Sequence, residues 1–363
     1  MRSVSAPMDL PAVAGALSTW LGQRFPAAHG VEVLHLQAAA GGFSNLTLTA
    51  ELRAAEGAPL PASGIAVRLQ TPTACVFPDN DIAVQYGYLQ CLAGSAVPVP
   101  RLLGLEPDPA VLGAPFFVMV RVEGQVPAED PLYHQHGWLH ALPPAAQRQH
   151  WLAGIELLAV ISRVDWRACG LFSQASPAWP EGLSPLEQQL EQGLRHLRWV
   201  ETLGRAHPWL HEVHRWLCQH RPPDTEPCLQ WGDAKLGNCI FRQGRVVASL
   251  DWETAHLGCA AGDLAWWLVH DEALSAGYGV PRLPGFPGRA ESVAHWERAS
   301  GRPAQHLDYL ELLANWRFAI IMARLGTLFM AHGWVPQASR MDIHNGAAAV
   351  LRERTRQHAI PQP

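Results

Sequence analysis

No apolar run in this chain approaches the roughly 18 residues that a membrane span requires. The best candidate, Phe318 to Met330, carries Arg324 in its middle and reads as a buried helix. Asp9 and Pro11 interrupt the stretch behind Arg2, so no signal-peptide core is expected there. Basic charge is lacking as well. Lys and Arg number 27 against 32 Asp and Glu, a net charge of −5 that offers no electrostatic footprint for nucleic acid. The seven cysteines are odd in number and scattered, without a C-x-x-C pair. Neither a disulfide framework nor a zinc site is expected from them, and the thiols should be reduced. These absences predict a soluble, cytoplasmic protein with no membrane or nucleic-acid partner. Oligomeric state leaves no trace in the sequence.

What is present is the material for a large core: 48% of the 363 residues are hydrophobic, enough for two domains. Strand-forming runs occupy the first third, at Val31–Gln37, Asn45–Arg53 and Gly64–Leu69. A helix from about Asp81 to Leu92 and the break Val97-Pro-Val-Pro precede two more, Arg101–Leu105 and Pro115–Val122. Residues 11–22 space apolar groups as an amphipathic helix. From Pro143 onward helical patterns dominate, over 144–165, 184–203, 207–220, 261–275, 290–299 and 305–332. The pattern predicts an α+β, two-lobed fold. Residues 1–121 form a small β-rich lobe, 118–124 a connector, and 122–363 a large helical lobe, with a cleft where the two meet.

The chemistry concentrates around one short hairpin. Asp233 is followed by Asn238 five residues later and by Asp251 after eighteen. Cys239 to Phe241 and Val246 to Leu250 read as strands, and Gln243-Gly244 as their turn. One loop can then turn Asp233 and Asn238 the same way, and the hairpin returns Asp251 beside them. Phosphoryl transfer from a nucleotide needs such a set. One carboxylate orients the attacking hydroxyl and accepts its proton, while an amide oxygen and a second carboxylate hold the divalent metal on the phosphates. Two upstream features fit the same chemistry. In the loop Gly41-Gly42-Phe43-Ser44-Asn45, glycines would let backbone N–H groups approach phosphate oxygens, and Ser44 and Asn45 add side-chain donors. Arg68 lies in the apolar strand 64–69, where a buried cation needs an anion.

With these motifs the chain resembles the aminoglycoside phosphotransferase-like (choline kinase-like) superfamily. It is most similar to a branch that includes the kinase-like domain fused to some acyl-CoA dehydrogenases. The likeness extends to Pro98-Val-Pro-Arg101, Phe116 to Gly124, Gly262 to Trp266 and Leu283 to Arg289. It implies a bilobal protein-kinase-like fold and an ATP- and Mg2+-dependent transfer of phosphate to a hydroxyl of a small molecule. By position, Gly41 to Asn45 would cover the phosphates, Arg68 would pair with them, and the backbone of Met119 to Arg121 would bind adenine. Gln85 falls where the family offers Glu to the strand cation; it would hydrogen-bond Arg68 without adding charge. Asp233 would be the base, with Asn238 and Asp251 as metal ligands. Asp263 would brace the catalytic loop through its backbone.

Trp231 departs from the family pattern, standing where a His usually precedes Gly-Asp. With Gln85 it keeps a second reading open, that of a nucleotide-binding pseudokinase or regulatory module. Lys235 is open between neutralising the transferred phosphate and simple solvation. His134, His136, His140, His211 and His214 lack a zinc spacing and read as structural or solvated. A polycationic acceptor would call for several carboxylates, and Asp271, Glu272, Asp308 and Glu311 are few. Loop 277–289 carries Tyr278, Val280, Leu283 and Phe286 instead. These residues are expected to line an apolar acceptor wall, for a hydroxyacyl derivative, a macrolide-like alcohol or a sugar. An aminoglycoside or macrolide resistance kinase is the alternative.

Overall fold

The structure is a computed structural model and describes residues 8–28, 30–39, 44–54, 58–71, 76–79, 81–169 and 182–361. The chain divides into two compact units, residues 1–93 with 99–123, and residues 94–98 with 124–363.

The first unit is built on an antiparallel sheet of β1 (Glu32–Ala38), β2 (Leu46–Arg53), β3 (Gly64–Leu69), β4 (Leu102–Glu106) and β5 (Phe116–Val120). Their spatial order is β1-β2-β3-β5-β4. Helix α1 (Leu10–Arg24) starts where the Asp9 side chain accepts the Ala12 N–H at 3.1 Å. Its Leu17, Trp20 and Leu21 bury against Val33, Leu48, Ile65, Val67, Phe116 and Val118 of the sheet. Strand alternation sends Ile65, Val67 and Leu69 into that core and turns Ala66 and Arg68 the other way. All six residues of β3 are nonetheless buried. Helix α2 (Ile82–Leu92) lies against β4 and β5.

The second unit carries α3 (Gly137–Ala141), α4 (Pro144–Ile161), α5 (Pro185–Leu203) and α6 (Pro208–Gln219) before its hairpins. After them come α7 (Gly262–Leu274), α8 (Arg289–Ser300), α9 (Leu307–Ala331) and α10 (Gly346–Gln357). α5 begins on a reciprocal cap, with Ser184 accepting from the Glu187 N–H and Glu187 accepting from that of Ser184. α7 packs against α4, α9 and α10 and is buried at every position but Gly262 and Glu272, so its sequence shows no polar face. α9 is the one helix among the described residues long and apolar enough to cross a membrane, yet 67% of that window is buried inside the protein. It is the core helix that Arg324 had suggested. Two small antiparallel pairs, β6 (Cys228–Gln230) with β9 (His256–Gly258) and β7 (Cys239–Arg242) with β8 (Arg245–Ser249), interrupt the helices.

The α+β architecture agrees with the sequence reading, and the helices end within a few residues of the expected bounds. Three features were not foreseen: α3, α10 and the β6–β9 pairing. The last joins three-residue strands too short to carry a pattern. Cys218, Cys228, Cys239 and Cys259 are free thiols. Cys91 is disulfide-bonded, which corrects the expectation of wholly reduced cysteines, because spacing along a chain says nothing of which thiols meet in space.

α4 and α7 approach closely at Gly154, where a Cβ would lie 2.1 Å from the Trp267 ring. A buried indole cannot retreat easily. Gly154→Ala should therefore cost about 1–3 kcal/mol of stability, the scale of overpacking. The check is a lower urea midpoint at unchanged slope; an unmoved midpoint would show that the helices have room to spare.

Candidate active site

Two hairpins bring the chemical residues together. β6 ends at Gln230 and β7 starts at Cys239, so Asp233 and Asn238 share the loop joining them. β7 and β8 turn back through Gln243 (φ 52°) and Gly244 (φ 73°), the pair of positive angles that a two-residue hairpin turn requires. The Leu250 N–H then donates to the Asn238 carbonyl at 2.9 Å, which places Asp251 next to that residue. Asp251 itself adopts φ 60°, ψ 60°. This left-handed conformation is uncommon for a residue with a side chain and is typical of functional sites.

The loop backbone is held from α7. The Asp263 carboxylate accepts the N–H of Trp231 at 2.7 Å and of Gly232 at 3.0 Å, and its own N–H donates to Gln230 Oε1 at 2.7 Å. Burial pushes the Asp263 pKa up to about 6, against the two amides and Arg317, which pull it down. Gly232 sits at φ 88°, and a Cβ there would lie 2.2 Å from the Thr254 carbonyl oxygen, so no other residue fits. Trp231 is fully buried, donates its indole N–H to the Leu250 carbonyl at 2.8 Å and stacks on Trp252 at 5.7 Å. It thus fixes the residue before Asp251, the architectural place expected of it.

Asp233 is gripped by its side chain as well. Oδ2 accepts from Asn238 Nδ2 at 2.8 Å and lies 3.4 Å from Lys235 Nζ, while Oδ1 accepts from Trp266 Nε1 at 3.2 Å. Burial alone would raise its pKa. Lys235, His270 and the Asn238 amide outweigh that and hold the carboxyl below the usual range. Its side chain is still 25% exposed, enough to meet a substrate.

Lys235 is the single lysine of the chain. It bridges Asp233 to Glu129, whose Oε2 accepts from Nζ at 3.1 Å. Burial would lower its pKa, but Asp233 and Glu129 hold it well above the ordinary value, so it stays cationic. A solvated loop lysine is thereby set aside. Sequence reasoning missed Glu129, which no motif marks. The uniqueness of Lys235 was a signal open to inspection.

The other expected residues fall as follows. Gly41, Gly42 and Phe43 lie outside the described residues. Ser44 and Asn45 are buried and tied to Thr71, whose hydroxyl donates to the Ser44 carbonyl at 2.7 Å and whose N–H donates to Asn45 Oδ1 at 3.3 Å. Arg68 is only 7% exposed, as expected of a strand cation, and its Nη1 donates to Thr47 Oγ1 at 2.9 Å. Gln85 is buried too, but its Oε1 has no hydrogen-bond partner among the described residues. The expected Gln85–Arg68 hydrogen bond is not formed; a neutral amide lacks the charge that would draw a guanidinium to it. Met119 sits in the ladder with Ala66 and Leu102 on either side, and the Arg121 N–H donates to the Gly64 carbonyl at 3.0 Å. The Arg121 amide is therefore committed to the sheet.

The acceptor wall needs a larger correction. Leu283 and Phe286 are core residues, 3% and 7% exposed, and the Phe286 ring lies 4.7 Å from that of Trp151. Arg282 draws their loop inward, donating to Asp271 Oδ2 at 2.5 Å and to the Pro287 carbonyl at 2.6 Å. Leu283 and Phe286 are anchors, whereas Val280 is half-buried and Tyr278 is left exposed. The four carboxylates weighed against a polycation are all paired with arginine. Asp271 meets Arg282, Glu272 meets Arg354, Asp308 meets Arg289, and Glu311 meets both Arg289 and Arg354. His134 packs against Asp271 at 3.1 Å and is structural, as read.

The profile of the phosphotransferase enzyme family matches residues 74–302, well over half of the chain. Acyl-CoA dehydrogenase family member 10 of Mus musculus is 28% identical over 198 residues, 54% of this chain and 17% of that protein. Acyl-CoA dehydrogenase family member 11 of Gallus gallus is 30% identical over 188 residues, 50% of this chain and 22% of that protein. The chain thus spans about a fifth of the length of these curated relatives. Among solved structures, a Ralstonia eutropha protein provisionally named an aminoglycoside phosphotransferase superposes with a TM-score of 0.67 at 23% identity, over 96% of this chain and 99% of that one. The aminoglycoside phosphotransferase APH(4)-Ia, solved with ADP and hygromycin B, gives 0.55 at 14% identity, over 94% and 97%.

The Asp263 clamp has a signature in pH. The fold raises this pKa, so its stabilising contribution is full below the ordinary aspartate range and is lost as pH rises through about 6. Asp263→Asn removes the titration. The stability of the wild type relative to this variant should fall by about 2–3 kcal/mol from pH 4 to pH 7. Denaturation midpoints of both proteins across that range test it, and a constant difference would contradict the raised pKa.

Proposed function

The chain belongs to the phosphotransferase enzyme family, and from that premise we propose that it is an ATP- and Mg2+-dependent small-molecule kinase with Asp233 as its general base. The observation that carries this reading is the state of Asp233: ionised, a quarter exposed, and held on both oxygens by three donors. A base so oriented can align a hydroxyl and accept its proton as phosphate is transferred.

The residues fit a divalent cation. The amide nitrogen of Asn238 is engaged twice by Asp233, at its carbonyl (2.9 Å) and its carboxylate (2.8 Å), which assigns the amide oxygen to the opposite edge. That oxygen and the Asp251 carboxylate are the hard donors that Mg2+ prefers. Bound there, Mg2+ would offset charge on the β- and γ-phosphates. The solved relatives include complexes with ADP, AMP-PNP and GDP, which supports a nucleotide without choosing the base; ATP is the proposed donor.

Two observations bear on the acceptor. Asp271, Glu272, Asp308 and Glu311 are each paired with arginine, so these four present no free set of carboxylates to a polycation. The curated relatives join a segment like this one to a protein named for acyl-CoA dehydrogenation. A hydroxyacyl thioester is therefore the proposed acceptor.

Asp233→Ala should lower Mg2+-dependent ADP release from ATP by about 10²–10⁴-fold, the usual contribution of a general base. Rates equal to wild type would sink the kinase reading in favour of a nucleotide-binding pseudokinase. For the acceptor, ADP release should rise above the rate with water when hydroxyacyl-CoA thioesters are added. It should stay flat with kanamycin. The reverse ranking would show an aminoglycoside kinase.

A further inference from the structure

The two carboxylate oxygens of Asp233 stand in different surroundings. Oδ2 accepts from the Asn238 amide at 2.8 Å and lies 3.4 Å from the Lys235 ammonium. Oδ1 has one neutral donor, the indole N–H of Trp266 at 3.2 Å. A carboxylate has about four lone-pair sites. Two donors occupy Oδ2, whereas Oδ1 keeps a lone pair for an incoming hydroxyl and has its direction set by Trp266.

Trp266 is well placed for this. It is 3% exposed and follows Asp263 by one turn on α7, so the same rigid helix holds the loop backbone and the side chain of the base. Its ring is itself held. Arg317 of α9 lies with Cζ 5.2 Å from the ring centroid, and Phe318 packs at 5.7 Å. Arg317 makes no hydrogen bond or ion pair among the described residues, and burial pushes its pKa down to about 10 against the pull of Asp263 and Asp233. A guanidinium over an indole face is an attractive contact, and here it fixes the ring. An indole N–H donates only, so Trp266 cannot compete with the base for a proton.

We propose that Trp266 is a positioning residue that sets Oδ1 of Asp233 as the oxygen receiving the acceptor's proton, with Arg317 holding the indole in place. In that step the acceptor O–H bond breaks and its proton passes to Oδ1. The freed oxygen bonds to the γ-phosphorus, the bond from that phosphorus to the bridging oxygen breaks, and its electron pair leaves with ADP. The inference rests on the reading of Asp233 as base.

The test uses the full chain, with water as the acceptor and Mg2+-dependent ADP release as the readout. Trp266→Phe keeps the ring and removes the N–H. It should lower kcat about three- to tenfold, the worth of one neutral hydrogen bond, with the KM for ATP unchanged within about twofold. In an Asp233→Asn background the same substitution should add nothing, because the oxygen it orients is no longer a base. Arg317→Gln should give a smaller loss with the same dependence on Asp233. If Trp266→Phe does not fold by circular dichroism, Arg317→Gln decides on the same two criteria. Wild-type kcat in the variants, or an equal loss in the Asp233→Asn background, overturns the positioning role while leaving the base assignment intact. Asp233→Asn at the wild-type rate overturns the base assignment, and this inference with it.

Discussion

The Asp263 carboxylate, buried at the start of α7, bonds two successive amides ahead of Asp233, and the geometry of the site hangs on that clamp. Those amides belong to Trp231 and to Gly232, whose positive φ leaves the chain no regular partner. Buried N–H groups without acceptors cost about 1–3 kcal/mol each. A single carboxylate removes both costs and ties the loop to the most deeply buried helix of the unit. The raised pKa of Asp263 measures the other side of the exchange, the expense of burying its charge.

Around that clamp the site is built from indoles. Trp231 and Trp252 stack beneath Asp251, Trp231 bonds the Leu250 carbonyl, and Trp266 reaches Asp233. Each offers a rigid apolar body and one donor that cannot become an acceptor. Such groups fix carboxylates and carbonyls without adding protons to the chemistry. This explains how Trp231 serves its place: the position needs a flat ring with an N–H directed at a carbonyl, not a titrating group. Charge is reserved for the front of the site, where the lone lysine lies against Asp233 and Glu129.

The 277–289 loop shows where composition misleads. Leu283 and Phe286 read as an apolar wall because a hydrophobic loop with no helical period has no assigned partner in the sequence. Arg282, bonded to Asp271 and lying 4.4 Å from the centroid of the Trp151 ring, turns the loop into the core. The same arginine-rich pairing neutralises the acidic residues nearby. The charge left on this part of the second unit is therefore decided by ion pairs that the fold creates, for example Asp308 with Arg289 and Glu272 with Arg354.

The sequence by itself determined the α+β architecture, the hairpin around Gln243-Gly244, the buried strand cation Arg68, and the grouping of Asp233, Asn238 and Asp251. These rest on short-range rules: apolar period, turn chemistry, and loop spacings that constrain geometry over a few residues. Only the tertiary structure decided what surrounds that group. Glu129 is more than a hundred positions from Lys235, and Trp266 comes from a helix beyond the catalytic hairpins. Gln85 was assigned to Arg68 by its position in a pattern, and the two do not bond. Contacts of this kind depend on how helices pack and on which charges can be buried together. Those energies are set by many side chains at once and leave no local mark on the chain.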